Sequence, residues 1–144
     1  MMNLLDGIES TGSALNAERV RLEVIAQNIA NANTTRGADG RPYQRQQVVF
    51  QDVLDGQMNT SAPGGIAASR VEIAAIQKDP RPPRLVYDPG HPDADAEGMV
   101  AVPDISIHEE MADLLTASRA FEANLAVVKN ARAMAMQTLS IGKG

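Results

Sequence analysis

From Leu4 the apolar residues recur with alternating gaps of four and three: Leu4, Ile8, Leu15, Leu22, Ile25, Ile29 and Ala32. Only Thr11 and Glu18 interrupt the series with polar side chains. A 3–4 alternation is a heptad seam, so this segment predicts a helix built to lie along other helices. The same alternation returns near the end of the chain, through Ile107, Met111, Leu114, Ser118, Phe121, Leu125, Val128, Arg132, Ala135 and Leu139. Two long helices are therefore expected. The first spans about Asn3 to Asn33, and the second begins at Asp104 or Ser106. At 1.5 Å per residue they measure roughly 45 and 54 Å.

Local signals place the ends. Asn3 is the expected N-cap of the first helix, with Asp6 near its positive end. Gly12 costs about 1 kcal/mol relative to Ala in a helix interior, so with Ser13 it predicts close approach of a neighbour. Asn28, Asn31, Asn33, Thr34, Thr35 and Gly37 crowd together where the seam stops. Asn and Gly tolerate the left-handed turn that ends many helices. Glu109 and Glu110 fall in the first turn of the second helix, and Gly142 and Gly144 end it.

The middle of the chain has a different pattern. All eight prolines lie between Pro42 and Pro103, which excludes a long helix there. Short strand-like runs appear at Gln47–Phe50, Val71–Ile76, Leu85–Tyr87 and Met99–Val102, bounded by Gly64-Gly65, Asp79-Pro80 and Asp88-Pro89-Gly90. These predict a small twisted β unit, with residues 59–69 as a polar, glycine-rich loop. The expected fold is mainly α with a small β insert, in three parts: an N-terminal helix over 1–34, a β/loop insert over 35–103 held at the far end of the helices, and a C-terminal helix over 104–144.

A helix at each terminus most simply folds back as an antiparallel pair. A register in which opposed residue numbers add up to about 140 sets Glu9 near Arg132 and Lys129, Arg19 and Arg21 near Glu122, and Glu18 near Arg119. Apolar flanks outside the seam (Leu5, Ala14, Ala17, Ala26 and Ala30; Leu115, Ala117, Ala120, Ala131 and Met134) exceed what two helices can bury. They predict packing with further subunits.

Composition agrees with an elongated protein. Apolar residues make up 44% of the 144, yet aromatics are two Tyr and two Phe with no Trp. The net charge of −5 is spread along the chain without a basic block, so nucleic-acid binding is not expected. With no cysteine, disulfides and Cys-based metal sites are excluded. Asp6 and Glu9 break the first apolar run and no basic leader precedes it, which predicts no cleaved signal peptide. No apolar window is long enough to span a membrane.

One stretch invites a chemical reading. Asp93, Asp95, Glu97, Gly98 and Asp104 occupy positions 1, 3, 5, 6 and 12 of a calcium-loop template. Pro89 and Pro92 stand where the template needs a helix, and Asp104 replaces its bidentate Glu, so the context favours a solvated acidic turn. His91 and His108 have no second His or Cys nearby. No nucleophile elbow or phosphate loop is present, so neither a cofactor nor catalysis is expected.

Taken as a set, these residues are familiar. Ser13–Thr34, and most specifically Asn28-Ile29-Ala30-Asn31-Ala32-Asn33-Thr34, resembles the N-terminal signature of axial proteins of the bacterial flagellum. Glu109–Gly142 resembles their C-terminal helix, and Tyr87–Val100 is similar to the corresponding stretch of proximal-rod proteins of the FlgC type. Met99 departs from the Tyr usual there, and Asp104 from the usual Asn.

The resemblance implies a structural subunit of the proximal rod, exported without a cleaved signal and assembled in the periplasm into a torque-transmitting helical tube. The implied partners are copies of itself, other rod proteins, components joining rod to membrane ring, and the export apparatus. The implied interface includes Leu4, Ile8, Leu15, Leu22, Ile25, Ile29, Met111, Leu114, Phe121, Leu125, Val128 and Leu139. A cytoplasmic coiled-coil adaptor or export chaperone is the alternative that the seams alone leave open.

Overall fold

The computed structural model describes residues 2–54 and 69–142, with side chains over 7–53 and 70–142. Residues 59–68 of the expected loop, the Gly64-Gly65 turn and the side chain of Leu4 lie outside these. The element order is α1 (Met2–Ala30), β1 (Gln46–Leu54), β2 (Ser69–Lys78), β3 (Arg84–Tyr87), β4 (Met99–Val102) and α2 (Ile107–Ile141). The fold is mainly helical with a small antiparallel β insert, as the periodicity predicts.

The two helices run antiparallel in the expected register. At one end Gly7, Ile8 and Thr11 share an apolar cleft with Val127, Val128, Ala131 and Met134. At the other, Asn28 hydrogen-bonds Glu110. The ion pairs expected across the helices are not among those of the described residues. Glu9 pairs with Arg70, Arg19 with Glu23 and Arg21 with Glu18. Exposed charges are free to choose local partners one helical turn away, and each such pair contributes only about 0–1 kcal/mol.

The helix ends also differ from expectation. α1 starts at Met2, so Asn3 lies within it rather than capping it. It stops at Ala30 rather than Asn33, and none of the asparagines takes a left-handed backbone: the positive-φ residues described are Gly40 and Gly98. The end tightens instead, with Ala32 N–H bonding the Ile29 carbonyl at 3.3 Å and Thr34 N–H the Asn31 carbonyl at 3.0 Å. The Asn31 side chain holds the Gln27 carbonyl at 2.9 Å. At α2, Ser106 is the N-cap and accepts from Glu109 N–H.

The insert is two separate two-stranded ribbons, β1–β2 and β3–β4, rather than one sheet. In the first, Val49 opposes Ala75 and Phe50 opposes Ile73, so Ala74 is the extra residue of a bulge. This ribbon is not held at the far end of the helices. It starts beside Asn28 and doubles back along α1 until Arg70 meets Glu9 at 2.9 Å. The lengths match: eight strand steps cover about 27 Å, and the helix between Glu9 and Asn28 about 28 Å.

α1 is therefore covered on two sides. Ile8 and Thr11 face α2, while Glu9, Gly12, Ser13, Asn16 and Ala17 face β2. This explains why the core includes Ala17 and Val24 besides the seam residues Ile25 and Ala32. On α2 the covered line is Glu110, Leu114, Ala117, Phe121, Asn124, Val128, Ala131 and Ala135. It shares every second position with the expected seam and is offset by one residue at the others. Ala117 and Ala131, which read as flanks, are buried, so the helices approach through alanines. The close approach expected at Gly12 is not made among the described residues: a Cβ there would meet none of their atoms within 4 Å.

Candidate functional site

Where the end of α1, the start of β1, the end of β2 and the first turn of α2 converge, the interior is polar. Asn28 is 1% exposed and uses its full hydrogen-bonding capacity. Its Nδ2 donates to the Gln46 carbonyl at 2.9 Å and to Glu110 Oε2 at 3.0 Å. Its Oδ1 accepts from Gln46 N–H at 2.9 Å and from the Tyr43 hydroxyl at 3.0 Å. The paired bonds to Gln46 imitate a neighbouring strand, so a helix side chain satisfies the backbone where β1 begins.

Glu110, also 1% exposed, is the charged centre. Arg45 Nε donates to its Oε1, and the same guanidinium lies 3.9 Å from Asp79 and 3.8 Å from Asp113. Asp79 is buried in turn. It accepts from Arg81 Nε and Arg81 N–H, both at 3.0 Å, and from Gln47 Nε2 at 3.1 Å. Arg81 reaches on to Asp104 at 3.0 Å. Buried charges persist only when paired and hydrogen-bonded, and here acids and arginines alternate from Glu110 to Asp104.

The electrostatics follow from these contacts. The hydrogen bonds from Arg81, its side chain first and then its N–H, hold the Asp79 carboxyl below the usual carboxylate value, with the charges of Arg81 and Arg45 assisting against burial. The Arg81 guanidinium is pushed up by the same partnership. Burial, and then the charge of Glu110, push the Tyr43 phenol up, which keeps it a donor to Asn28. The chemistry of this junction is therefore mechanical: it fixes four elements against one another.

The acidic stretch is used differently from a calcium loop. Asp93 accepts from the Thr35 hydroxyl at 2.8 Å and faces Arg36. Asp95 Oδ1 accepts from Glu97 and Met99 N–H at 2.9 and 2.8 Å, pinning the turn between β3 and β4. Asp104 belongs to the Arg81 contact. Three carboxylates of the template thus serve three separate tasks. Gly98 sits in this turn at φ 76°, where a Cβ would lie 3.0 Å from the Tyr87 ring and 3.1 Å from Pro89. His91 Nδ1 accepts from Asp93 N–H, and His108 is exposed.

The residues expected from the seams divide into two groups. Ile25 is buried, and Ile8, Leu15, Leu22, Ile29, Leu114, Phe121, Leu125 and Val128 are half-buried. Met111 and Leu139 stand 52% and 62% exposed, together with Leu115, Val127, Met134, Met136 and Ile141. In the asparagine motif Asn28 is buried, Ile29, Asn31 and Thr34 are half-buried, and Ala30 and Asn33 are exposed. Sequence reasoning missed Tyr43, Arg45, Asp79 and Glu110. No local signal marks them: Glu110 reads as a first-turn acid, one residue off the expected seam.

Comparison with known proteins bears on this geometry. Residues 8–38 match the flagella basal body rod protein family, and residues 96–141 match the C-terminal family of flagellar basal body rod FlgEFG proteins. Asn28 lies in the first segment and Glu110 in the second. The chain is 41% identical over 143 residues to the flagellar basal-body rod protein FlgC of Salmonella typhimurium. It is 40% identical over 142 residues to that of Yersinia enterocolitica, and 37% identical over 153 residues to that of Bacillus subtilis. Each alignment covers 99% of this chain and 100% of the relative.

Proposed function

Since the chain belongs to the FlgC family of flagellar basal-body rod proteins and is a structural subunit of that rod, we propose that its paired terminal helices polymerise into the proximal rod as a torque-transmitting helical tube. It works in the flagellar basal body, in assembly with other rod components. The neighbours we assign are copies of itself, other proximal-rod proteins and the components joining rod to membrane ring. We place the rod in the periplasm, reached through the flagellar export apparatus. The role is structural rather than catalytic.

The observation that carries this reading is the uncovered apolar surface of α2. Met111 and Leu115 lie one turn apart, and Val127, Met134 and Ile141 recur every seven residues, all more than half exposed. Val127 and Met134 also border the cleft against α1, so this line runs along the open edge of the helix pair, where heptad spacing suits a further helix. Met111 and Leu139 belong with this intersubunit surface, and Ile8, Leu15, Leu22, Ile25, Ile29, Leu114, Phe121, Leu125 and Val128 with the packing of the pair that presents it; Leu4 is assigned to the interface from its seam position in the sequence alone. The functional units we assign are 1–34, 35–103 and 104–144. Among the described residues, no helix is long and apolar enough to cross a membrane.

Circular dichroism and light scattering on the purified chain test the reading. A rod subunit gives a low-melting monomer, because neighbours supply its interfaces. A cooperative, high-melting dimer would instead fit a coiled-coil adaptor and overturn it.

A further inference from the structure

The contact between α1 and α2 carries a polar layer that is left incomplete. Thr11 and Ala131 line the same cleft between the helices. One heptad further in, this register sets Glu18 opposite Asn124, and the next heptad sets Ile25 opposite Ala117, both buried. The Glu18 side chain is 19% exposed. Its Oε2 is shielded from solvent, and no hydrogen-bond donor among the described residues reaches it. The Arg21 guanidinium stops 3.8 Å away, beyond hydrogen-bonding distance. A shielded carboxylate oxygen without a donor costs stability, so an acid kept in a helix seam calls for a donor from elsewhere.

The complementary group stands on a different surface. Arg119 follows the buried Ala117 by two residues, about 200° around the helix, and so points away from α1. It is exposed, lies one turn beyond the exposed Leu115, and makes no ion pair among the described residues. We propose that Glu18 is an acceptor held open for Arg119 of a second copy of this chain, an inference that rests on the reading of α2 as the assembly surface. A guanidinium is always charged, and its fork of N–H donors fits both oxygens of a carboxylate. The approach that seats Leu115 against a neighbouring helix pair brings Arg119 with it. Because acceptor and donor sit on different surfaces of one subunit, the contact joins copies head to tail, the kind that builds open helical assemblies when its rotation does not close. In the isolated chain the unmet oxygen loosens the middle of the helix pair. In the rod it selects the neighbour.

Full-length Glu18→Leu, Arg119→Leu and the double variant test this. Purified Glu18→Leu is expected to melt about 3–8 °C above wild type, since a shielded acceptor without a donor is removed. Arg119→Leu is expected to melt with wild type. In basal bodies from cells lacking the gene and complemented with each variant, either single variant is expected about ten-fold or more below wild type, because it leaves the other charge unpaired at the contact. The double variant leaves neither charge behind and recovers most of that loss, as coupled residues do. Glu18→Leu melting at or below wild type would overturn the proposal. So would single variants recovered at wild-type levels, or a double variant whose loss is the product of the two single losses. Wild-type chain absent from the rods would instead overturn the assembly reading, and the melting comparison would stand.

Discussion

Asn28 and Glu110 stand 82 positions apart in the chain and meet at 3.0 Å, both almost completely shielded from water. This contact joins the last turns of α1 to the first turn of α2, and each partner also holds the insert, Asn28 through Gln46 and Tyr43 and Glu110 through Arg45. A helix pair with so many alanines in its contact is poorly protected against sliding by a heptad, because small side chains fit many positions. A polar contact with fixed partners is satisfied in one register only. Register and insert orientation are therefore set at the same point.

Asn28→Ala is expected to lower stability by about 2–3 kcal/mol, because the Gln46 amide and carbonyl lose partners in a buried place. Asn28→Asp keeps the shape but sets a carboxylate beside Glu110 and removes both donors. At neutral pH it is expected to be at least as damaging, with partial recovery in acid as one of the two carboxyls takes a proton. Urea unfolding at two pH values checks both. A loss under 0.5 kcal/mol in both variants would mean that the junction does not hold the fold.

The depressed Asp79 carboxyl gives a pH dependence of definite sign. Its folded value lies below the unfolded value of about 3.9, so its contribution is fully present above the unfolded value and is lost as pH falls through the folded one. Asp79→Asn is expected to be less stable at pH 7 and to lose less stability on acidification. Unfolding free energies measured from neutral to strongly acidic pH decide this, and parallel profiles for the two proteins would contradict it.

Gly98 and Gly40 share a left-handed backbone, at φ 76° and 74°, but differ in surroundings. Gly40→Ala meets open space and is expected to cost about 1 kcal/mol, the backbone penalty alone. Gly98→Ala adds the Pro89 and Tyr87 contacts and is expected to cost about 2–3 kcal/mol. Thermal melts of the two variants give the comparison directly. Equal melting temperatures would show that the β3–β4 turn relaxes around an added methyl.

The long-range architecture was readable because period is a property of the sequence itself. Both helices, all four strands and the antiparallel register follow from spacing, proline positions and turn residues. What stayed hidden depended on partners distant in sequence. Glu110 reads as a helix-start acid and Asn28 as a helix stop, and only folding places each opposite the other. Ala117 and Ala131 read as flanks because a strict 3–4 alternation puts Ser118 and Arg132 on the seam, one residue from each. The ribbon's return along α1 left no local mark either, because the described ion pair at its far end joins an acid and an arginine 61 positions apart. Of the exposed apolar line, Leu115 and Met134 read from the sequence as residues in excess of what two helices bury.

This chain is expected to enter the flagellar rod through the exposed apolar face of α2, and purified basal bodies provide the test. Cells lacking the gene are complemented with the wild-type chain or with Leu115→Glu, a change at an exposed position that leaves the polar junction intact. The expected result is that wild-type protein is recovered in the rod and restores swimming. Leu115→Glu, with unchanged helical content by circular dichroism, is expected to be absent from the rod and to leave cells non-motile. Basal bodies that contain the variant at wild-type levels, or that form complete rods without this chain, would contradict the claim.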